Sequence, residues 1–170
     1  MPTALITGAS SGIGYELTRL FARDAYDLVI VARDEKKLKK MKLDLEKECS
    51  VQVFVFAQDL SQPSAAKKVF EKVQSMKLHI DVLVNNAGFG EYGMFTKTDL
   101  EKEERMIQVN ITALTQLTKY FLPLMVEKKS GKVLNVASTA AFIPGPFMAV
   151  YYATKAYVLS FTEALSKELE

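Results

Sequence analysis

Five short runs of mostly apolar, β-branched residues, separated by stretches with helical spacing, restrict the folding of this chain more than any other feature. The runs cover residues 3–7, 27–32, 51–56, 81–85 and 132–137. None shows the regular polar alternation of a strand with one wet face, so each reads as a strand covered on both sides. Strands and helices in alternation build βαβ units around a parallel sheet. The expected class is therefore α/β, with one domain over residues 1–170. A chain of 170 residues buries about 70% of its unfolded surface, enough for one sizeable core.

Helical periodicity fills the gaps between the runs. Ile13, Leu17, Leu20 and Phe21 fall at i, i+4, i+7 and i+8, one face of a first helix. Leu38, Met41 and Leu45 stripe a second helix, whose other face carries Lys36, Lys37, Lys39, Lys40 and Lys42. Asp44, Glu46 and Glu48 follow at once, so these lysines read as a solvated face rather than a nucleic-acid patch. A third helix is expected to open with Ser61 as N-cap and Pro63 in its first turn, with Val69, Val73 and Met76 facing the core. Thr98 and Glu101 have the spacing of a capping box. They start a long helix striped by Ile107, Ile111, Leu114, Leu117 and Phe121, which Pro123 ends or bends. A last helix runs from Tyr151 to Glu170.

Charge narrows the range of partners. Twenty-two Lys plus Arg against 20 Asp plus Glu leave a formal charge of +2, too small for the broad basic field that binds nucleic acid or anionic membrane. No apolar run is long enough to span a bilayer and the opening residues lack the pattern of a signal peptide, so the expected location is the cytoplasm. Cys49 is the one cysteine and His79 the one histidine, a poor basis for a disulfide or a zinc site. His79 reads as a surface residue.

Between the first run and the first helix lies Thr7-Gly8-Ala9-Ser10-Ser11-Gly12-Ile13-Gly14. A glycine-rich turn at that place presents backbone N–H groups and a helix N-terminus, the donors a pyrophosphate needs. A Cβ would block both the tight turn and the approach of the ligand. The spacing is GxxxGxG, distinct from the common GxGxxG fingerprint, and three glycines alone also suit a loop without a ligand.

That turn, Asn85-Asn86-Ala87-Gly88 after the fourth run, and Tyr151 with Lys155 four residues on occur in a fixed order. Together they resemble the short-chain dehydrogenase/reductase family, over essentially the whole chain from Thr7 to the final helix. The resemblance implies a doubly wound, Rossmann-like parallel sheet, a nicotinamide dinucleotide and hydride transfer between a carbonyl and an alcohol. It places cofactor contacts on Thr7, Gly8, Ser10, Ser11, Gly12, Ile13 and Gly14, and on Asn86, Ala87 and Gly88. Asp59, with Leu60 beside it, matches the family acid that contacts the adenine amino group; a turn residue before Ser61 is its other reading.

Dinucleotide folds commonly place an acid at the end of the second strand to bind ribose hydroxyls, where it repels a 2′-phosphate. Ala32 stands there, followed by Arg33, whose guanidinium can hold a phosphate with two hydrogen bonds. NADP (NADPH) is therefore preferred to NAD. Arg33 as a plain surface residue is the counter-reading, and Asp34 either adds a negative charge nearby or caps the next helix.

Tyr151 and Lys155 share one face of a helix, so their polar ends can converge. A phenol with a pKa of about 10 is a poor acid–base catalyst at neutral pH, and an adjacent ammonium stabilises its phenolate. Such a tyrosine can give a proton to a carbonyl oxygen or take one from an alcohol. Only Tyr151 has Lys at i+4, so Tyr152 is assigned to packing or an interface. The family resemblance adds that Lys155 holds the nicotinamide ribose and that Ser138, at the end of the fifth run, orients the substrate carbonyl. A strand-end hydroxyl bonded to local backbone is the other reading of Ser138. Asn110 interrupts an apolar helical surface; by resemblance it holds a water in a proton relay with the lysine, and a helix-kink role is compatible with that.

The leading expectation is an NADP-dependent carbonyl reductase or alcohol dehydrogenase. A non-catalytic dinucleotide-binding regulatory module and a nucleotide-sugar epimerase or dehydratase are the alternatives. Phe89, Met94, Phe95, Phe142, Ile143, Pro144, Phe147 and Met148 either line an apolar pocket for a small-molecule carbonyl with an acyl chain or belong to the core. A homo-dimer or homo-tetramer, assembled through the 107–121 helix and the Tyr151 helix, follows from the resemblance. Family members continue past the catalytic helix into further strands and a substrate-covering loop. None of that follows Glu170, so the expectation is a C-terminally truncated fragment with weak cofactor binding and poor turnover.

Overall fold

The computed structural model describes residues 1–170. Strands β1 (Thr3–Thr7), β2 (Asp27–Ala32), β3 (Val53–Ala57), β4 (Val82–Asn85) and β5 (Lys132–Asn135) alternate with helices α1 (Gly12–Arg23), α2 (Glu35–Glu48), α3 (Ala65–Ser75), α4 (Leu100–Ile107), α5 (Leu114–Glu127) and α6 (Ala149–Glu168). A π-helical turn, Gln108–Ala113, joins α4 to α5, and a 3-10 turn, Thr139–Ala141, follows β5. The sheet is parallel throughout, in the order β3-β2-β1-β4-β5. Strands β3 and β5 are each shifted or shortened by two residues against the apolar runs, because Gln52 and Val136 meet neighbouring strands only at isolated hydrogen bonds.

One apolar layer, including Val69, Val73, Leu117 and Phe121, covers one face of the sheet, and another, including Leu38, Met41 and Leu45, covers the other. This is a doubly wound, Rossmann-like fold. The chain builds outward from β1 to β3, then returns to place β4 on the other side of β1. The carboxyl ends of β1 and β4 therefore flank the crevice where open α/β sheets bind ligands.

Three helices differ from the periodicity. In α1 the buried residues are Gly14, Thr18 and Ala22, while Ile13 and Leu20 are exposed. Close approach to the turn after β1 explains this: a Cβ on Gly14 would collide with the Gly8 carbonyl oxygen, so the small residues face inward. Helix α3 opens at Ala65 rather than behind Ser61, because Asp59 Oδ1 accepts from both the N–H (2.9 Å) and hydroxyl (2.8 Å) of Ser61. Met76 lies at its exposed C-cap instead of in the core. Asp99, not Thr98, caps α4, accepting from the Glu101 N–H at 2.8 Å, and Thr98 turns to Glu103 at 2.6 Å. The π turn adds a residue to the helix, so Met106 is buried and Ile107 is exposed, while Leu114, Leu117 and Phe121 keep the expected phase. Pro123 does not end α5, which continues to Glu127. No helix is long and apolar enough to cross a membrane.

Candidate active site

The glycine turn is held by its neighbour across the crevice. Thr7 Oγ1 donates to the Val84 carbonyl at 3.2 Å and accepts from the Asn86 and Ala87 N–H groups, both at 3.0 Å. Asn86 Nδ2 donates to the Thr7 carbonyl at 2.9 Å. Thr7 is buried, so its side chain and that of Asn86 shape the turn from behind. Gly8 adopts φ +68°, and a Cβ there would lie 2.8 Å from Asn86 Nδ2, which makes glycine necessary.

The open side of the turn has the chemistry of an anion cradle. Gly12 has φ +55° and nothing within 4 Å of where a Cβ would stand. Ser11 is the N-cap of α1 but makes no side-chain cap bond, and the first turn carries no acid. The leading N–H groups of α1 thus keep their donors and the positive end of the helix dipole. Ser11, Gly12 and Ile13 are exposed and Ser10 is half-buried, whereas Gly14 packs inward. These residues fit a dinucleotide pyrophosphate.

Arg33 stands exposed at the end of β2, beside buried Ala32. Asp34 is occupied as the N-cap of α2: it accepts from the Lys37 N–H at 3.0 Å, which holds its carboxyl below the usual range. Asp59 gives one carboxylate oxygen to Ser61, so the turn reading of this residue holds alongside any contact made by the other oxygen. The Leu60 side chain is in the core.

Helix α6 carries Tyr151 half-buried and Lys155 buried, one turn apart. Lys155 Nζ donates to the Val136 carbonyl at 2.8 Å and lies 5.9 Å from the centre of the Tyr151 ring. Burial pushes the Lys155 ammonium below its ordinary pKa. Asn110, in the π turn, is 1% exposed: its Oδ1 accepts from the Phe89 N–H (3.1 Å), and its Nδ2 donates to the Phe89 carbonyl (3.0 Å) and to Thr154 Oγ1 (3.0 Å). A Cβ on Gly88 would stand 3.1 Å from Asn110 Oδ1 and 3.6 Å from Lys155 Nζ, so these three residues meet. Ser138 leads the 3-10 turn at the carboxyl end of β5. Its oxygen accepts from the Ala140 N–H at 3.1 Å, which leaves the hydroxyl proton free for another acceptor.

Sequence reasoning missed three features. Thr154 joins Asn110 to α6, but its only signal is its place inside the Tyr151–Lys155 spacing. Gly90 lets the loop after β4 rest on Tyr151: its Cβ would lie 3.1 and 3.2 Å from ring carbons. Asn85 and Asn135 sit in register on β4 and β5 and bond at 2.9 Å, a pair foreshadowed by one amide in each apolar run. Phe89, Met94, Phe95, Phe142, Ile143 and Phe147 are all exposed, which excludes the core reading of these residues. Two of the segments that carry them meet where the Gly93 N–H donates to the Phe147 carbonyl at 2.8 Å.

A parallel doubly wound sheet with a glycine-rich turn at its switch point defines a dinucleotide-fold protein. The family model described as short chain dehydrogenase matches residues 2–170, and the chain belongs to that family. A short-chain dehydrogenase from Sphingobium yanoikuyae, solved in complex with NADPH, is 40% identical with a TM-score of 0.93, over 99% of this chain and 66% of its own. A bulky-bulky ketone specific alcohol dehydrogenase from Comamonas testosteroni is 36% identical, with the same TM-score of 0.93, over 99% and 68%. A very-long-chain 3-oxoacyl-CoA reductase of Ajellomyces capsulatus is 35% identical over 98% of this chain and 50% of its own. The chain spans about half the length of such curated relatives.

Burial of Lys155 makes stability depend on pH. The folded chain releases this proton at a lower pH than the unfolded chain, whose lysine keeps a pKa near 10.5. Between those two values the unfolded chain binds more protons, so folding gains as pH rises. The stability of the wild type relative to Lys155→Met is expected to increase between neutral pH and about pH 10. Urea midpoints across that range check it; a constant or falling difference is the contrary result.

Proposed function

We propose that the whole protein is an NADP-dependent carbonyl reductase or alcohol dehydrogenase, with Tyr151 as its acid–base. The observation that carries this is that Asn110 and Lys155 meet at Gly88 while Tyr151 rests on Gly90 with Lys155 5.9 Å from its ring centre, at the same carboxyl end of the sheet as the cradle. The nicotinamide, when bound, supplies or accepts the hydride. In the cradle the backbone N–H groups of residues 10–14 bind the pyrophosphate, so no charged side chain is required there.

Tyr151 gives its phenolic proton to the carbonyl oxygen in reduction and takes it back in oxidation. Lys155, as an ammonium near the ring, offsets the charge left on the phenolate. Ser138 donates its free hydroxyl proton to the same carbonyl oxygen and so fixes the substrate. Lys155 also serves the nicotinamide ribose, and Asn110 Oδ1, across Gly88 from Lys155 Nζ, supports a relay water. Arg33 holds the 2′-phosphate of NADP, with no acid at Ala32 to repel it and Asp34 engaged as a cap. NADPH in the Sphingobium yanoikuyae dehydrogenase supports this choice.

The exposed apolar residues on the segments after β4 and β5 suit a bulky or acyl-chain ketone. The two relatives named for bulky ketones and very-long-chain 3-oxoacyl-CoA point the same way. In the whole protein, kcat/KM should favour an apolar ketone over a small polar sugar, and the reverse order would sink this substrate class.

Tyr151→Phe is expected to lower kcat by about 10²–10⁴-fold while NADPH still binds, as for loss of a general acid. Stopped-flow hydride transfer reads it, and unchanged turnover would overturn the assignment. A wild-type chain that binds NADPH but turns over no carbonyl would instead favour the regulatory module. Arg33→Ala should weaken NADPH by roughly tenfold to a hundredfold and leave NADH nearly unchanged, the loss of a charge-assisted bond. Equal losses for both cofactors, measured by fluorescence titration, would remove Arg33 from the phosphate site.

A further inference from the structure

We infer that Thr154 is a positioning residue: its hydroxyl ties the main chain of Tyr151 to the Asn110 clamp and so fixes the catalytic ring against Lys155. The inference rests on the acid–base role proposed for Tyr151. Thr154 is 1% exposed and stands between Tyr151 and Lys155 on α6. Its Oγ1 donates to the Tyr151 carbonyl at 2.7 Å and accepts from Asn110 Nδ2 at 3.0 Å.

A threonine hydroxyl that bonds back to a carbonyl one turn earlier is common in helices and by itself implies nothing. The second bond makes the difference, because it reaches 44 residues along the chain to the π turn. A hydroxyl has one proton to give, and the Tyr151 carbonyl, which can only accept, must receive it. The lone pairs then face Asn110, whose two amide hydrogens are both used, one on Thr154 and one on the Phe89 carbonyl. Every partner in this chain of bonds has a single allowed orientation.

The bonds close into a ring around the tyrosine. Asn110 holds Phe89 by both its N–H and its carbonyl. The next residue, Gly90, lies against the Tyr151 ring, where a Cβ would stand 3.1 Å from Cδ2. Thr154 links the same Asn110 to the Tyr151 backbone. The ring of Tyr151 is thus placed from one side through Gly90 and from its main chain through Thr154, and both constraints end on one buried amide. Removing the hydroxyl leaves one Asn110 hydrogen unpaired in the interior and frees the first turns of α6 from the π turn.

The test uses Thr154→Val, nearly the same shape without the hydrogen bonds, Thr154→Ala as a smaller second variant, and Thr154→Ser, which keeps the hydroxyl. In the whole protein, Val or Ala should lower kcat by about tenfold to a hundredfold, the scale of a displaced catalytic group. NADPH affinity should stay near that of the wild type. Ser should restore kcat. A wild-type kcat in both Val and Ala, a loss of NADPH affinity as large as the loss of kcat, or no rescue by Ser each overturns the inference. Tyr151→Phe run beside them separates the two readings: if it turns over normally the acid–base assignment fails, and if it is inactive while Val and Ala are normal only the role of Thr154 fails.

Discussion

The bonds between Thr7 and Asn86 hold together the two neighbouring strands whose connections leave in opposite directions. Strands β1 and β4 are adjacent, yet one leads outward to β2 and the other to β5, so nothing covers the crevice at their carboxyl ends. The glycine turn that lines this crevice has few side chains with which to fix itself. Its shape is imposed from β4, through one threonine hydroxyl that accepts two N–H groups and gives its proton to Val84, and one amide that reaches the Thr7 carbonyl. Each such bond adds about 1 kcal/mol net, but breaking one strands a buried partner at a larger cost. An anion cradle made of backbone requires this kind of support, since the atoms that bind the ligand cannot also bind each other.

The other half of the site is attached by polar bonds where a helix would ordinarily use apolar contact. Of the residues of α6, only Thr154, Lys155 and Val158 are buried. Thr154 meets Asn110, Lys155 meets the Val136 carbonyl, and Thr162 receives the Asn135 amide at 2.9 Å. Asn135 in turn accepts from Asn85, which also donates to Thr118 at 3.0 Å, so a seam of polar side chains runs from α5 through β4 and β5 to α6. Directional bonds fix a helix in rotation as well as in distance, and the acid–base role proposed for Tyr151 depends on that rotation. The buried Lys155 is the counterweight: its desolvation opposes folding, and the Val136 carbonyl offsets part of that.

Much of this is legible in the amino-acid order. The glycines at 8, 12 and 14 and the unbroken apolar runs report backbone requirements, which act locally and leave a local trace. Asn110 also stands out, as a polar residue in an apolar stripe. Less legible are features decided by residues far apart. Ile13 and Leu20 have the spacing of a buried face, but close packing of α1 on the cradle turns Gly14, Thr18 and Ala22 inward instead. Ser61 is a good cap by type, yet Asp59 captures it first. Nothing in the spacing of residues 100–127 announces a π turn, because the extra residue is stabilised by what Asn110 meets after folding.

That π turn shows how the two scales combine. Carried forward without it, the stripe of α5 would place Ile107 against the sheet; with it, Met106 and Asn110 turn inward. A buried amide needs partners for one acceptor and two donors, and the interior of a helix pair offers none. The loop after β4 supplies the N–H and carbonyl of Phe89, and α6 supplies the Thr154 oxygen. The local irregularity is therefore stable only in the presence of two segments that are themselves parts of the site. It follows that the helix distortion, the loop under Tyr151 and the seat of α6 are one cooperative arrangement, and that substitution in any of the three acts on the geometry around Lys155 even where it touches no ligand.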